Sequence, residues 1–294
     1  MAKLSDRLRA ELGGWKKTLP TAWRPHFKDV ELAFDAVDAG AQLAPAEMIW
    51  PQRTGSSPRA HVFKSLKDLR PGEVRVVVFG NDPYTRVEQA TGRSFEQGDL
   101  SDWTKDAQVR RRISPSLKSI VCAAAATDKA NDAYDLTSRE DLDDGDEEWL
   151  AHSELVRGLA GGKIKLPPPT RVFEHWAKQG VLWLNRTLTY TKWDEAHRQS
   201  HTRLWEPFTR RVLEVLVGQA GAERPVVFAL WGGPAKELEK LIEELRQHAG
   251  TAAAAVRYVR AGHPQIPKNY FETGNPLEAI NNALGGSKVS IKWV

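Results

Sequence analysis

The chain has 294 residues, with 42 Lys and Arg against 38 Asp and Glu, a formal net charge of +4, and 41% hydrophobic and 27% charged residues. These proportions exclude a disordered or collagen-like chain, and the length admits a substantial core. A lone cysteine, Cys122, excludes an intramolecular disulfide, a Cys-based zinc site and a Cys-ligated iron–sulfur cluster, and no window approaches the roughly 18 apolar residues of a membrane span.

Charges stand among the apolar residues of the opening segment, so no secretory signal and no membrane partner are expected, and the expected location is cytoplasmic. Residues 5 to 12 and 28 to 38 have helical apolar spacing, which makes residues 1–48 a helical region packed on the rest of the chain. Pro51 to Pro58 reads as a loop. Arg75 to Phe79 is then a continuous β-branched and aromatic run ended by Gly80, the pattern of a strand covered on both faces of a parallel sheet. Three more such runs come later, Val181 to Leu184, Pro225 to Trp231 and Val256 to Val259, separated by helical patterns near 171–179, 205–218 and 234–249. Strands alternating with helices predict an α/β fold, three-layered α/β/α around a central, mostly parallel four-stranded sheet.

Between the first two strands the charge is uneven. Residues 132 to 148 hold nine acids and Arg139, a local charge of −8, so the remainder of the chain carries +12. The acidic run reads as a solvated loop, and the basic remainder suits a polyanionic partner.

Each strand ends in a polar turn. Phe79 leads into Gly80-Asn81-Asp82-Pro83-Tyr84, Leu184 into Asn185, Trp231 into Gly232-Gly233-Pro234, and Val259 into Gly262-His263-Pro264. In a parallel sheet these turns leave the same carboxyl-terminal edge, where open α/β folds bind ligands, so one cleft can collect Asp82, Asn185 and His263. Taken singly, each is ordinary turn chemistry.

At these residues the sequence resembles the family 1 uracil-DNA glycosylases. Gly80-Asn-Asp-Pro-Tyr84 is similar to their water-activating Gly-Gln-Asp-Pro-Tyr-His motif, and Phe95 stands at a similar spacing to their stacking phenylalanine. Ser114-Pro-Ser-Leu117, Gly180 to Thr189, Trp205-Glu-Pro-Phe-Thr209, Leu230-Trp-Gly232 and Gly262-His-Pro264 continue the family order, from about Ile49 to Leu284. The resemblance implies one catalytic domain over 49–294, with an acidic insertion at about 123–170. It implies a monomeric enzyme that hydrolyses the glycosidic bond of deoxyuridine in single- or double-stranded DNA, without metal or cofactor, and leaves an abasic site for repair.

Glycosidic cleavage develops positive charge on the sugar and negative charge on the departing base. By resemblance Asp82 activates the water and faces the sugar, while His263 donates to uracil O2. Asn185 would read N3 and O4, Phe95 would stack, Tyr84 would occupy the space of a 5-methyl group, and the backbone N–H of Asn81 would reach a uracil oxygen. Ser116, Gly233, Gln265 and Lys268 are the implied DNA contacts. The family's helix-wedging Leu is Pro267 here, with Ile266 one residue away. Thr85 replaces the motif's His, and Gly232-Gly233 stands where the family has Gly-Ser in the strand turn before the Gly262-His-Pro264 loop. His197 and His201 have i, i+4 spacing but lack a recognisable third ligand, so no metal site is expected. A weakly catalytic module that binds uracil or abasic DNA is the alternative. A phosphatase using Asp82 would want an acid where Gly80 stands.

Overall fold

Alternate residues of the central strands face opposite sides, and both sides are apolar, so the sheet must be covered twice. The computed structural model describes residues 1–52, 60–107, 113–138, 150–285 and 289–294. Its first strands, β1 (Ala2–Lys3) and β2 (Gln42–Leu43), form a short antiparallel pair. The central sheet contains β3 (Val76–Gly80), β4 (Val181–Asn185), β5 (Val226–Trp231) and β6 (Val256–Ala261), in the order β4-β3-β5-β6 and parallel throughout.

Val77, Phe79, Leu182, Leu184, Phe228 and Leu230 point into one core, closed by the helices Glu195–Gln219 and Gly233–His248 and by the N-terminal residues. Val76, Val78, Val181, Trp183, Val227 and Ala229 point into the other, against the helices Pro115–Ala126, Leu150–Ala160, Pro169–Ala177 and Pro276–Leu284. The three-layer α/β/α expectation therefore holds. The connections leaving β3 and β5 cover opposite faces, so a crevice opens between the turns after these neighbouring strands.

The helix expected over 28–38 is absent. Val30 and Leu32 are buried while Glu31 is exposed, so the chain runs extended there and makes only a short 3-10 turn at Phe34–Ala36. The helix expected over 205–218 instead begins at Glu195, capped by Asp194, whose carboxylate accepts the His197 N–H at 2.9 Å. Pro207 lies inside it without ending it. Residues 139–149, which hold most of the acidic run, lie outside the described residues, as do residues 53–59 of the expected loop. The flanking Leu150–Ala160 packs Ala151 and Leu155 into the second core.

The N-terminal helix Leu4–Leu12 buries Leu4, Leu8 and Leu12, an i, i+4 stripe. Trp15 and Phe27 meet Phe63 and Phe208 of the main body, with Phe27 and Phe208 stacked at 4.7 Å. The Trp23 indole donates to the Leu69 carbonyl at 2.6 Å. One cooperative unit is expected from this shared core. Phe208→Ala should cost about 3–5 kcal/mol and move a single calorimetric transition as a whole; two resolved transitions, one of them unmoved, would mark residues 1–48 as an independent unit.

Candidate active site

The parallel pairing of β3 with β4 sets Gly80 opposite Asn185. Past the strands it continues as two backbone bonds: Arg186 N–H donates to the Gly80 carbonyl at 2.9 Å and Thr187 N–H to Asn81 at 3.0 Å. Thr187 is thereby brought to Asp82. Its hydroxyl donates to Asp82 Oδ1 at 2.9 Å, and the Asn81 amide donates to Oδ2 at 2.6 Å. Burial raises the Asp82 pKa above the ordinary carboxylate value, and these two bonds oppose that rise without cancelling it.

His263 follows β6, at the far side of β5. The Gln265 backbone N–H donates to its Nδ1 at 3.2 Å, which leaves the ring proton on Nε2. Burial lowers its pKa, so the ring is neutral near pH 7. Gly232 makes this seat possible: it has φ +83°, and a Cβ there would stand 3.0 Å from the His263 Cβ. From the opposite side, the Ser119 hydroxyl of the Pro115–Ala126 helix donates to the Pro264 carbonyl at 2.5 Å.

Phe95 has φ +60°, a left-handed conformation that costs a residue with a Cβ about 1–2 kcal/mol. Its surroundings hold it there. Tyr84 donates its hydroxyl to the Phe95 carbonyl at 3.1 Å and lies 2.7 Å from Ser114 Oγ. Next to it in the chain, buried Glu96 accepts from Arg93 at 3.1 Å, Thr91 at 2.6 Å and Lys64 at 2.8 Å, while Arg93 also reaches Asp68 at 2.5 Å. The Phe95 ring stands 6.1 Å from Trp231 and 6.3 Å from His263, centroid to centroid.

One cleft of about 470 Å³ results, lined by Asn81, Asp82, Tyr84, Phe95, Ser116, Asn185, His263 and Gln265 among others. Asn185 is 2% exposed, and its Oδ1 has no partner among the described residues. A buried acceptor left open in this way fits a ligand that brings a donor. Of the remaining expected residues, Gly233 opens the Gly233–His248 helix, while Ile266 caps and Pro267 and Lys268 begin the short helix Pro267–Tyr270 that follows His263, and none of the three is among the residues that line the cleft. Ile266 is 51% exposed, whereas Pro267 is partly buried as the first residue of a short helix.

No protein-family model matches the chain. It is 31% identical over 230 residues to a uracil-DNA glycosylase of Streptococcus mutans, covering 76% of this chain and 82% of that protein. It is 32% identical to a uracil-DNA glycosylase of Streptococcus equi subsp. zooepidemicus, covering 77% of each. The chain belongs to the uracil-DNA glycosylase family. The wild-type UNG of Nitratifractor salsuginis shares the fold, with a TM-score of 0.55, 22% identity and 92% of both chains covered.

In this glycosylase-family chain the cleft is also shaped by residues whose part the sequence does not show. Thr187 lies inside the Gly180 to Thr189 run, and only the fold brings it to Asp82. Arg93 and Glu96 flank Phe95, but their partners Asp68 and Lys64 come from another segment. His197 and His201 have structural partners: His197 bonds Asp194 at 2.7 Å, and His201 sits between Thr189 and Thr191, its pKa pulled down to about 3 by burial. Among the described residues no group of three potential ligands could hold a metal ion.

Gly80 tests the register. A Cβ there would stand 2.3 Å from Asn185 Oδ1 and 2.8 Å from the Ser94 Cβ, so Gly80→Ala should destabilise by about 1–3 kcal/mol. Combining it with Asn185→Ala should return part of that loss in a denaturant double-mutant cycle. Strict additivity would show that Asn185 is not seated against Gly80.

Proposed function

We propose that the chain is a DNA-repair hydrolase that flips deoxyuridine into this cleft and breaks its N-glycosidic bond, releasing uracil and leaving an abasic site. The observation that carries the reading is the convergence of a half-buried carboxylate, Asp82, and a neutral imidazole, His263, on one cleft that also holds Asn185 and Phe95.

The chemistry is set by the charges. As the C1′–N1 bond breaks, its electron pair leaves with uracil and the sugar becomes cationic. The Asp82 carboxylate stabilises that cation and takes a proton from the water whose oxygen bonds to C1′. The Nε2–H of His263 donates to uracil O2, where the negative charge accumulates. Asn185 Oδ1 accepts from uracil N3–H while its amide donates to O4, a pairing that cytosine, with an acceptor at N3 and a donor at N4, does not offer. Tyr84, pinned by Phe95 and Ser114, fills the space beside C5 and excludes thymine.

DNA reaches the cleft through Ser116, the Gly233 turn, Gln265 and Lys268, and Ile266 takes the wedge position because it protrudes where Pro267 does not. The protein acts as a monomer. A competent catalyst is favoured over the weak binding module because both reacting groups are held by hydrogen bonds in the forms they need.

Single-turnover release from a uracil oligonucleotide tests the mechanism. Asp82→Asn should slow it by orders of magnitude at nearly unchanged DNA affinity; a variant that keeps most of its rate would remove Asp82 from the chemistry. The functional forms of Asp82 and His263 are both the deprotonated ones, so the wild-type rate should fall as pH falls, through a pKa above the ordinary carboxylate range. Thr187→Val removes a bond that lowers the Asp82 pKa, so its acid limb should move to higher pH; an unmoved limb would contradict the role given to Thr187.

Selectivity is a separate test. Tyr84→Ala should admit slow thymine release, and Asn185→Asp should favour cytosine. Two variants that stay strictly uracil-directed with good activity would place the pocket elsewhere.

A further inference from the structure

Trp193 is 68% exposed and lines the cleft that holds Asp82. It stands immediately before Asp194, the cap of the Glu195–Gln219 helix, and Arg198 occupies the fourth position of that helix. A residue before the cap commonly packs against the fourth helical residue as a hydrophobic staple. Here the guanidinium of Arg198 takes the apolar partner's place, 4.6 Å from the indole centroid. A cation against one face of an indole is held by the ring quadrupole and fixes the plane of the ring. The staple accounts for that face alone; the ring remains largely open to solvent at the mouth of the cleft.

The position across the fold adds a second observation. Trp193 lies on the segment after β4 and Ile266 on the segment after β6, and these strands are the two opposite edges of the sheet. Two of the large apolar side chains exposed among the described residues thus stand on segments that leave opposite edges of the sheet, Trp193 lining the cleft and Ile266 three residues after His263, which also lines it. Ile266 is a β-branched aliphatic with no flat face, whereas Trp193 offers a broad plane backed by a positive charge. Bases stack on such planes with little regard to sequence, and the backing cation strengthens the contact.

We propose that Trp193, backed by Arg198, is a stacking subsite for the nucleobase next to the extruded uridine, on one side of it along the strand. The inference rests on the proposed uracil-excising function and adds a contact to DNA outside the uracil pocket. Trp193 does not touch the reacting atoms, so its effect falls on substrate binding, and the half-saturating concentration changes while the rate at saturation stays near its original value.

The test uses single-stranded oligonucleotides containing one deoxyuridine, with the 5′ or the 3′ neighbour either base-bearing or replaced by a tetrahydrofuran residue. For the wild type, removing the neighbouring base on one side, and not the other, should raise the half-saturating concentration about tenfold. Trp193→Ala should raise it by the same factor on the base-bearing substrate and be indifferent to removal of that neighbour. Trp193→Phe should retain most of the effect. Trp193→Leu, which keeps an apolar staple, should behave like Trp193→Ala, so loss of the helix start is distinguished from loss of the aromatic plane. Equal losses for Trp193→Ala on base-bearing and base-free neighbours, or no loss on either, would overturn the subsite. The same oligonucleotides carrying thymidine in place of deoxyuridine are titrated for affinity alone. A wild type that released no uracil would refute the functional reading, while this binding series would still decide the stacking one.

Discussion

The pairing of β3 with β4 is the constraint on which the site depends. With Gly80 opposite Asn185, the next backbone bonds run from Arg186 to Gly80 and from Thr187 to Asn81, and the Thr187 hydroxyl arrives at Asp82. A slip of one residue would turn Asn185 to the other face of the sheet and take Thr187 away from the carboxylate. Gly80 permits this register because Asn185 occupies the space a side chain would need. The pocket is thus a consequence of strand alignment carried two residues beyond the sheet.

Around that alignment the site keeps polar groups in reactive states by balancing burial against hydrogen bonds. Asp82 is desolvated enough to be a better base than a surface carboxylate, yet two donors keep it ionisable. His263 is kept neutral by burial, and a backbone N–H on Nδ1 directs its proton to the other nitrogen. Phe95 stores backbone strain, offset by the Tyr84 bond to its carbonyl and by the pairing of Glu96 with Arg93 on either side of it in the chain. Removing one member of such a buried charge network is costly because the partner remains buried and unpaired, by about 3–5 kcal/mol.

What was legible in the sequence was whatever is local. Continuous runs such as Arg75 to Phe79 announced buried strands, and the polar residue after each run announced the cleft, because a parallel sheet delivers all its turns to one edge. Long-range pairing was not legible. Nothing near Glu96 points to Lys64, and nothing near Asp82 points to a threonine 105 positions later. In residues 28–38, Val30, Leu32 and Val37 satisfy helical spacing loosely while the first two also alternate, and the core selects the alternation. The first turns of the Glu195–Gln219 helix were not legible because Glu195 to Arg203 holds no apolar residue but Ala196, and the position of Trp193 at the helix entrance was hidden with them.

The central claim is that water, activated at Asp82, replaces uracil at C1′. Mass spectrometry of a single-stranded uracil oligonucleotide treated with the protein in heavy-oxygen water tests it most directly, with reduction of the product by borohydride before the label exchanges. The account predicts free uracil without heavy oxygen and a full-length abasic strand that has gained one solvent oxygen. A strand cleaved at the site, or a product linked to protein and lacking the solvent oxygen, would contradict it.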